Sequence, residues 1–497
     1  MSIATLPGSA TALPCVELTD LLAGLVPGAP RITLGSMCSD SRELRSGALF
    51  IALRGDAYDG RNFLADAAQA GAVAALVEKG FEVADAPLPC IAVADLRQHL
   101  GELASRFYGR PSRLLNIAAV TGTNGKTTVS HLLAQLVRGA GYDCGVIGTL
   151  GASLDGEVRR ATHTTPDAIS LQGTLADWSS QAVPFVSMEA SSHALHQGRL
   201  NAVEVDTAIF TNLTRDHLDY HADMASYGAA KAQLFQMPGL RTAILNAEDP
   251  FSETIAAQLA SQVRVLRYGG SETGADVALL QLDQGPAGLR LRVASPWGRA
   301  VIECPLLGRF NALNLLAAFS AAAQAGLPFD GLLRAAATLR PVPGRMEPLR
   351  LEHAPLVVID YAHTPDALAQ VLAALRPQTA GRLIAVFGCG GDRDRGKRAA
   401  MARVVSATAD VAVLTSDNPR SEDPRAILAD MEAGMHSEYT LIVERGEAIR
   451  HAIETAVPGD CVLIAGKGHE DYQLIGAARL PFSDSQHALQ ALEDYAQ

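Results

Sequence analysis

The chain of 497 residues carries a net charge of −12, with 48% hydrophobic, 19% charged and only 5% aromatic residues, a folded composition long enough for roughly two to four domains. The acidic balance argues against a nucleic-acid backbone or an anionic membrane as main partner and leaves small anionic substrates open. Seven cysteines scattered singly, without a C-x-x-C pair, fit a reducing compartment; with neither a signal-type N-terminus nor a membrane-length apolar stretch, a cytoplasmic protein without membrane insertion is expected.

Residues 1 to about 110 hold no catalytic motif. Leu49 to Leu53 reads as a strand and Leu64 to Ala70 as a short alanine-rich helix that Gly71 ends, so this is a small α/β unit. Its polar segments, Ser39 to Arg42 and Arg54 to Gly60, are turn-forming by composition. Gly109-Arg110-Pro111-Ser112 then marks a domain boundary.

The next stretch is the most specific in the chain. Leu114 to Val120 is apolar, as a strand buried on both faces would be; Gly122-Thr123-Asn124-Gly125-Lys126-Thr127-Thr128 follows; then Val129, Leu132, Leu133, Leu136 and Val137 recur at helical spacing. A glycine loop between a strand and a helix N-terminus presents backbone N–H groups to phosphate oxygens. Lys126 would reach the β/γ-phosphates and the Thr127 hydroxyl a Mg²⁺ ion. The full phosphate-loop pattern wants a glycine where Val120 stands, but Gly-Lys-Thr is intact. ATP or GTP binding is expected, with the base undetermined.

From about 112 to 341, apolar runs alternate with helical patterns, as in a doubly wound sheet. Pro184 to Glu189 ends in a carboxylate and Val205 to Asn212 in polar residues. Ligands of open α/β sheets bind at the carboxyl ends of the strands, so Glu189 and Asn212 should flank the loop, with Glu189 a second anchor for Mg²⁺. His217 and His221 stand four apart, a weak zinc signal without an H-E-x-x-H pattern or paired cysteines; polar loop residues around a nucleotide are the better reading. On its own, Lys231 reads as a solvated helix lysine.

From about 342 onward four apolar runs, starting at Leu356, Leu383, Val411 and Cys461, each end in a glycine or polar loop, a second, Rossmann-like sheet. Gly388-Cys389-Gly390-Gly391 lacks the G-x-G-x-x-G spacing of a dinucleotide site, and NAD binding is rejected.

Taken in order, TGTNGKTT, MEASSHAL, TNLTRDHLDYH, LLGRFNALN, PGRME, DYAHTPD, FGCGGDRD, SDNPR and GKGHEDYQ resemble the Mur ligase family of peptidoglycan synthesis, from Ser39 to Gln473. The resemblance implies an α/β protein of three domains: a small N-terminal α/β domain for the UDP substrate (1–110), a central P-loop doubly wound sheet for ATP (111–341), and a C-terminal Rossmann-like domain for the incoming amino acid (342–497). It implies a monomeric, ATP- and Mg²⁺-dependent ligase with no nucleic-acid partner. The reaction joins meso-2,6-diaminopimelate to the D-glutamyl carboxylate of UDP-N-acetylmuramoyl-L-Ala-D-Glu through an acyl phosphate.

By the same resemblance Lys126, Glu189, His217 and Lys231 are catalytic, and Thr127, Glu189, His217 and Lys231 hold metal, the lysine as an N-carbamate. Gly122 to Thr128, Asn311, Arg345, Asp360 and His363 contact ATP. Ser39, Ser41, Asp56, Ala57, Tyr58, Thr164, Thr165, Ser191, Gln197 and Arg199 meet the UDP-sugar-peptide. Arg393, Asp417, Asn418, Pro419, Arg420, Gly466 and Glu470 form the diaminopimelate pocket, where a guanidinium can grip the carboxylate that lysine lacks. A lysine-adding ligase, another superfamily ligase such as folylpolyglutamate synthase, and a non-catalytic nucleotide switch are the alternatives.

Overall fold

A computed structural model describes residues 15–55, 59–80, 85–159, 163–285 and 288–496. Asp56, Ala57 and Tyr58, expected at the UDP substrate, lie outside the described residues. Three main sheets follow one another along the chain. The first has parallel strands Ser36–Cys38, Ala48–Ala52, Ala74–Glu78 and Cys90–Val93. Alternation splits Ala48–Ala52 between two cores: Leu49 and Ile51 pack with Leu96, Leu100 and Leu103 on one face, Phe50 and Ala52 with Leu64 and Ala67 on the other. Gly109 and Arg110 both take positive φ before a short 3-10 turn opens at Pro111.

The second sheet is built around Asn116–Thr121, whose Ala118 and Val120 face one core and Ile117 and Ala119 the other. Phe185–Glu189 and Thr207–Phe210 pair with it in parallel on its two sides, which brings the ends of all three strands to one place. Beyond them lie Cys144–Gly148 on one side and Thr242–Asn246, Arg264–Gly270 and Val277–Gly285 on the other, all parallel. The doubly wound reading needs extending at both edges. Gly151–Leu154 and Glu157–Arg159 add an antiparallel hairpin, and Gly288–Ser295 and Gly298–Cys304 continue the sheet from Val277–Gly285 as an antiparallel meander. Those meander strands alternate buried and exposed residues, the period-two signal of a sheet with one wet face.

The third sheet runs Glu347–Leu349, Leu356–Asp360, Cys461–Ala465, Leu383–Phe387, Val411–Leu414, Tyr439–Leu441. The four apolar runs are its centre; the two edge strands are three residues each and partly exposed, so they carry no long apolar run. Behind the strand ends sits a fully buried ion pair. Arg445 reaches Asp484 through two hydrogen bonds of 2.7 Å, and its remaining N–H groups reach Ala465 O at 3.0 Å and Ser416 O at 3.4 Å. One guanidinium thereby ties together the ends of two strands whose loops carry Asp417 to Arg420 and Gly466 to Glu470.

Removing one partner of a buried pair leaves the other charge uncompensated, a cost of about 3 to 5 kcal/mol. Asp484→Ala is therefore expected to lower the thermal midpoint markedly, whereas Glu303→Ala, which breaks an exposed pair with Arg290, leaves it nearly unchanged; differential scanning fluorimetry checks both.

Candidate functional site

The chain leaves Asn116–Thr121 through Gly122, whose φ is +150°, and enters the helix Lys126–Gly139 from Gly125, at φ +89° with no side-chain cap. A Cβ on Gly122 would lie 1.8 Å from Thr211 Oγ1, and one on Gly125 2.6 Å from Asn314 Oδ1, so both must be glycine. Val120 explains the departure from the full phosphate-loop pattern: it is still strand, with no exposed surface, and the turn starts two residues later. Asn212 and Thr211 brace the loop, Asn212 Oδ1 accepting from Asn124 N at 2.9 Å and Thr211 Oγ1 donating to Asn124 O at 2.6 Å. Thr123 Oγ1 accepts from Thr214 N at 3.0 Å, and Thr128 is buried. Among the described residues the buried NH₂ of Asn124 has no hydrogen-bond partner, and with the uncapped helix end it offers donors that an anionic group could accept.

Glu189 has no exposed surface. Its Oε2 accepts from Thr127 Oγ1 at 3.0 Å and Thr149 Oγ1 at 3.1 Å, and its Oε1 from Thr149 N at 2.8 Å. Thr149 was not legible in the sequence: it follows Gly148 at a strand end with no motif around it. The only hint was the glycine, because a Cβ there would stand 2.2 Å from Glu189 Oε1.

Lys126 donates to Gly122 O at 2.9 Å and Thr123 O at 2.8 Å, and Lys231 to Gly122 O at 2.7 Å. Two ammonium groups thus converge on one carbonyl. Lys231 is 1% exposed and lies 4.1 Å from the Tyr227 ring centroid, which overturns the reading of a solvated helix lysine. Burial first, then repulsion from Lys126, holds its pKa well below the ordinary lysine range. Burial also pushes His217 down to about 3, with Lys126, His193 and Lys231 adding to the shift against Asp216. His217 is therefore a neutral imidazole at physiological pH. His221 is engaged elsewhere, its Nε2 3.1 Å from Ser192 Oγ.

Asp216 joins the second and third sheets. Its Oδ2 is 3.4 Å from His217 Nε2 and 3.8 Å from His363 Nε2; burial would raise its pKa, but His363, His217 and Lys397 outweigh that and hold the carboxyl far below its usual range. From the third sheet Arg345 lies 4.2 Å from the Tyr361 ring centroid and donates to Thr127 Oγ1 at 3.3 Å. Asp360 and Asn311 are more inward-facing than expected of nucleotide contacts. Asp360 accepts from Met346 N and Ala362 N, both at 2.7 Å, and so shapes the Arg345 and His363 segments. Asn311 Nδ2 donates to Leu307 O at 2.8 Å, and its Oδ1 accepts from Asn314 at 3.1 Å.

A cleft of about 420 Å³ runs from His193 and His217 to Arg393, Asp417, Asn418, Arg420, Gly466 and Glu470. Arg420, at φ +51°, gives one N–H to Gly391 O at 2.7 Å, and Asn418 Nδ2 donates to Glu470 Oε2 at 2.8 Å. Pro419 stands between them on the same loop, its carbonyl so close to Gly391 that a Cβ there would meet it at 1.9 Å. Gly466 is equally constrained, a Cβ lying 2.6 Å from Asp417 Oδ2. Arg393 Nη1 is 3.6 Å from Asp219, a further tie between the sheets.

The expected UDP-substrate residues of the second sheet also come together. Thr164 Oγ1 is 3.2 Å from Thr149 Oγ1, Thr165 Oγ1 donates to Glu189 O at 2.7 Å and accepts from Ser191 N at 3.2 Å, and Arg199 donates to Thr165 O at 2.9 Å and to Gln197 Oε1 at 2.6 Å. Ser39 and Ser41 stand in the first sheet's polar turn, where Asp40 caps Ser41–Glu43; among the described residues neither is hydrogen-bonded to this cluster.

Three family models match in order: "Mur ligase family, catalytic domain" over residues 34–108, "Mur ligase middle domain" over 120–322, and "Mur ligase, glutamate ligase domain" over 344–468. The chain is 46% identical over 493 residues to the UDP-N-acetylmuramoyl-L-alanyl-D-glutamate--2,6-diaminopimelate ligase of Alkalilimnicola ehrlichii, covering 96% of this chain and 97% of that one. A solved structure of a ligase of that same name matches at TM-score 0.72 and 40% identity, over 97% of this chain and 100% of the other. The MurF ligase of Thermotoga maritima in complex with ADP shares the fold at TM-score 0.66 and 18% identity, over 93% and 97%.

Gly148→Ala is expected to displace the Glu189 carboxylate and cut steady-state turnover by about a hundredfold, the scale of an ångström-sized misplacement of a reacting group. The far-ultraviolet circular dichroism should stay unchanged.

Proposed function

The chain belongs to the Mur ligase family, and we propose that it is the ATP-dependent ligase that adds meso-2,6-diaminopimelate to the D-glutamyl carboxylate of UDP-N-acetylmuramoyl-L-Ala-D-Glu. The observation that carries this reading is a single cleft that runs from His193, Asp216 and His217 of the second sheet to Asn418, Arg420 and Glu470 of the third. On this reading residues 1–110 serve the UDP substrate, 111–341 ATP and 342–497 the amino acid, and the enzyme works as a cytoplasmic monomer. No helix among the described residues is long and apolar enough to cross a membrane.

A carboxylate is a poor electrophile and must be activated. One γ-carboxylate oxygen attacks the terminal phosphorus of ATP, the bond to the bridging oxygen breaks, and ADP leaves behind an acyl phosphate. The lone pair of the incoming amine then attacks the acyl carbon; collapse of the tetrahedral adduct expels phosphate, and the nitrogen loses its proton. In the first step Lys126 and the uncapped helix end stabilise the transferring phosphoryl oxygens, while Arg345 approaches from the third sheet. Two ammonium groups beside one carbonyl repel each other, and burial together with that repulsion lowers the pKa of Lys231 and so favours its neutral amine. Its lone pair can add to carbon dioxide, forming an N–C bond and releasing a proton, so that the neutral amine becomes a carbamate anion.

The donor set fits Mg²⁺: the Thr127 hydroxyl, the buried Glu189 carboxylate, the neutral imidazole of His217 and, as a carbamate, Lys231. When bound, Mg²⁺ neutralises charge on the transferring phosphoryl group.

At the amine end, the Arg420 guanidinium suits the second carboxylate of diaminopimelate, a group that lysine does not carry. Phosphate release by the purified protein is expected to require ATP, the UDP-dipeptide and diaminopimelate together, with lysine a poor replacement; equal rates with lysine would exclude the diaminopimelate assignment. Arg420→Ala is expected to lose diaminopimelate addition by at least about a hundredfold while ATP binding, followed by calorimetry, survives. Labelled bicarbonate should give a carbamate carbon resonance in the wild type that is missing from Lys231→Ala.

A further inference from the structure

Behind the amine end of the cleft lies a lysine that none of the roles above uses. Lys467 has no exposed surface and follows the strand Cys461–Ala465 by one glycine. Its ammonium is 3.0 Å from Glu470 Oε2, 3.2 Å from Asn418 Oδ1 and 3.7 Å from Asp417 Oδ1. Burying an ammonium costs more than burying a methionine of similar volume, even when it is paired. Stability alone is a weak reason for a lysine here.

The charge has a visible geometric consequence. Asn418 Oδ1 accepts from Lys467 Nζ and from Leu474 N at 2.9 Å. With the amide oxygen held by two donors, its NH₂ must face the other way, toward Glu470 Oε2. Lys467 and Asn418 both donate to that one carboxylate oxygen, and among the described residues no hydrogen bond engages Oε1. Asp417, Asn418 and Glu470 line the cleft, so the lysine acts on the cleft only through them.

We propose that Lys467 is a positioning residue for the amine substrate, which fixes the orientation of the Asn418 amide and, with it, of the Glu470 carboxylate, so that Glu470 Oε1 is left to receive the ammonium of the amino-acid head whose carboxylate meets Arg420. The inference rests on the diaminopimelate reading above and adds to it the residue that sets the pocket's shape. Lys467→Met removes the charge at similar volume, and Lys467→Gln keeps a donor toward Asn418 without the charge.

Steady-state kinetics on wild type and both variants, with each substrate varied in turn, tests this. In Lys467→Met the KM for diaminopimelate is expected to rise at least about tenfold, with a smaller rise in Lys467→Gln. The kcat and the KM values for ATP and the UDP-dipeptide should stay within about threefold, and the preference for diaminopimelate over lysine should narrow. An unchanged KM for diaminopimelate, an equal loss in every parameter, or failure of both variants to fold would assign Lys467 to stability and overturn the proposal. A wild-type protein that adds no diaminopimelate would instead overturn the function on which the proposal rests.

Discussion

A carboxylate sealed from solvent must find its hydrogen-bond donors inside the protein, and that condition organises the centre of this protein. Glu189 meets it with two threonine hydroxyls and one backbone N–H. The first threonine opens the phosphate-loop helix, the second ends a neighbouring strand, and Gly148 leaves the space. Because Thr127 also receives a hydrogen bond from Arg345, the same cluster couples the third sheet to the second. Thr127, Glu189 and Arg345 are thus fixed by contacts that are internal to the fold.

Across the junction the chemistry is carried by charges held in place from behind. Asp216 faces His217 from its own sheet and His363 from the next. Arg345 is aimed by its stacking on Tyr361 and by the Asp360 carboxylate, which holds the following residue's N–H. In the third sheet the buried Arg445–Asp484 pair pins the two strand ends that carry the 417–420 and 466–470 loops. Groups spread over modules that must meet on one substrate chain are positioned by rigid partners, which keeps the entropic cost of assembling the site low.

What could be read in the sequence was what lies close together in it. The phosphate loop was legible because strand, glycines, Lys126, Thr127 and helix are contiguous, and Glu189 because a carboxylate ends an apolar strand. Thr149 was invisible: its role depends on a strand that becomes a neighbour only in the sheet. The burial of Lys231 was equally hidden, since a lone lysine on the alanine-rich helix Met224–Ala232 reads as its exposed face and is covered only by tertiary packing. Likewise Asp216 gains its meaning from His363, which is distant in the chain. The meander was missed for a different reason: its strands, Gly288–Ser295 and Gly298–Cys304, alternate buried and exposed residues and so contain no continuous apolar run.

The central claim is that the cleft activates a carboxyl group by phosphorylating it before an amine attacks. Heavy oxygen placed in the D-glutamyl γ-carboxylate of the UDP-dipeptide tests it directly, with mass spectrometry of the phosphate released during diaminopimelate addition. The account predicts that one labelled oxygen appears in inorganic phosphate for each amide formed. Amide formation that releases unlabelled phosphate would contradict it.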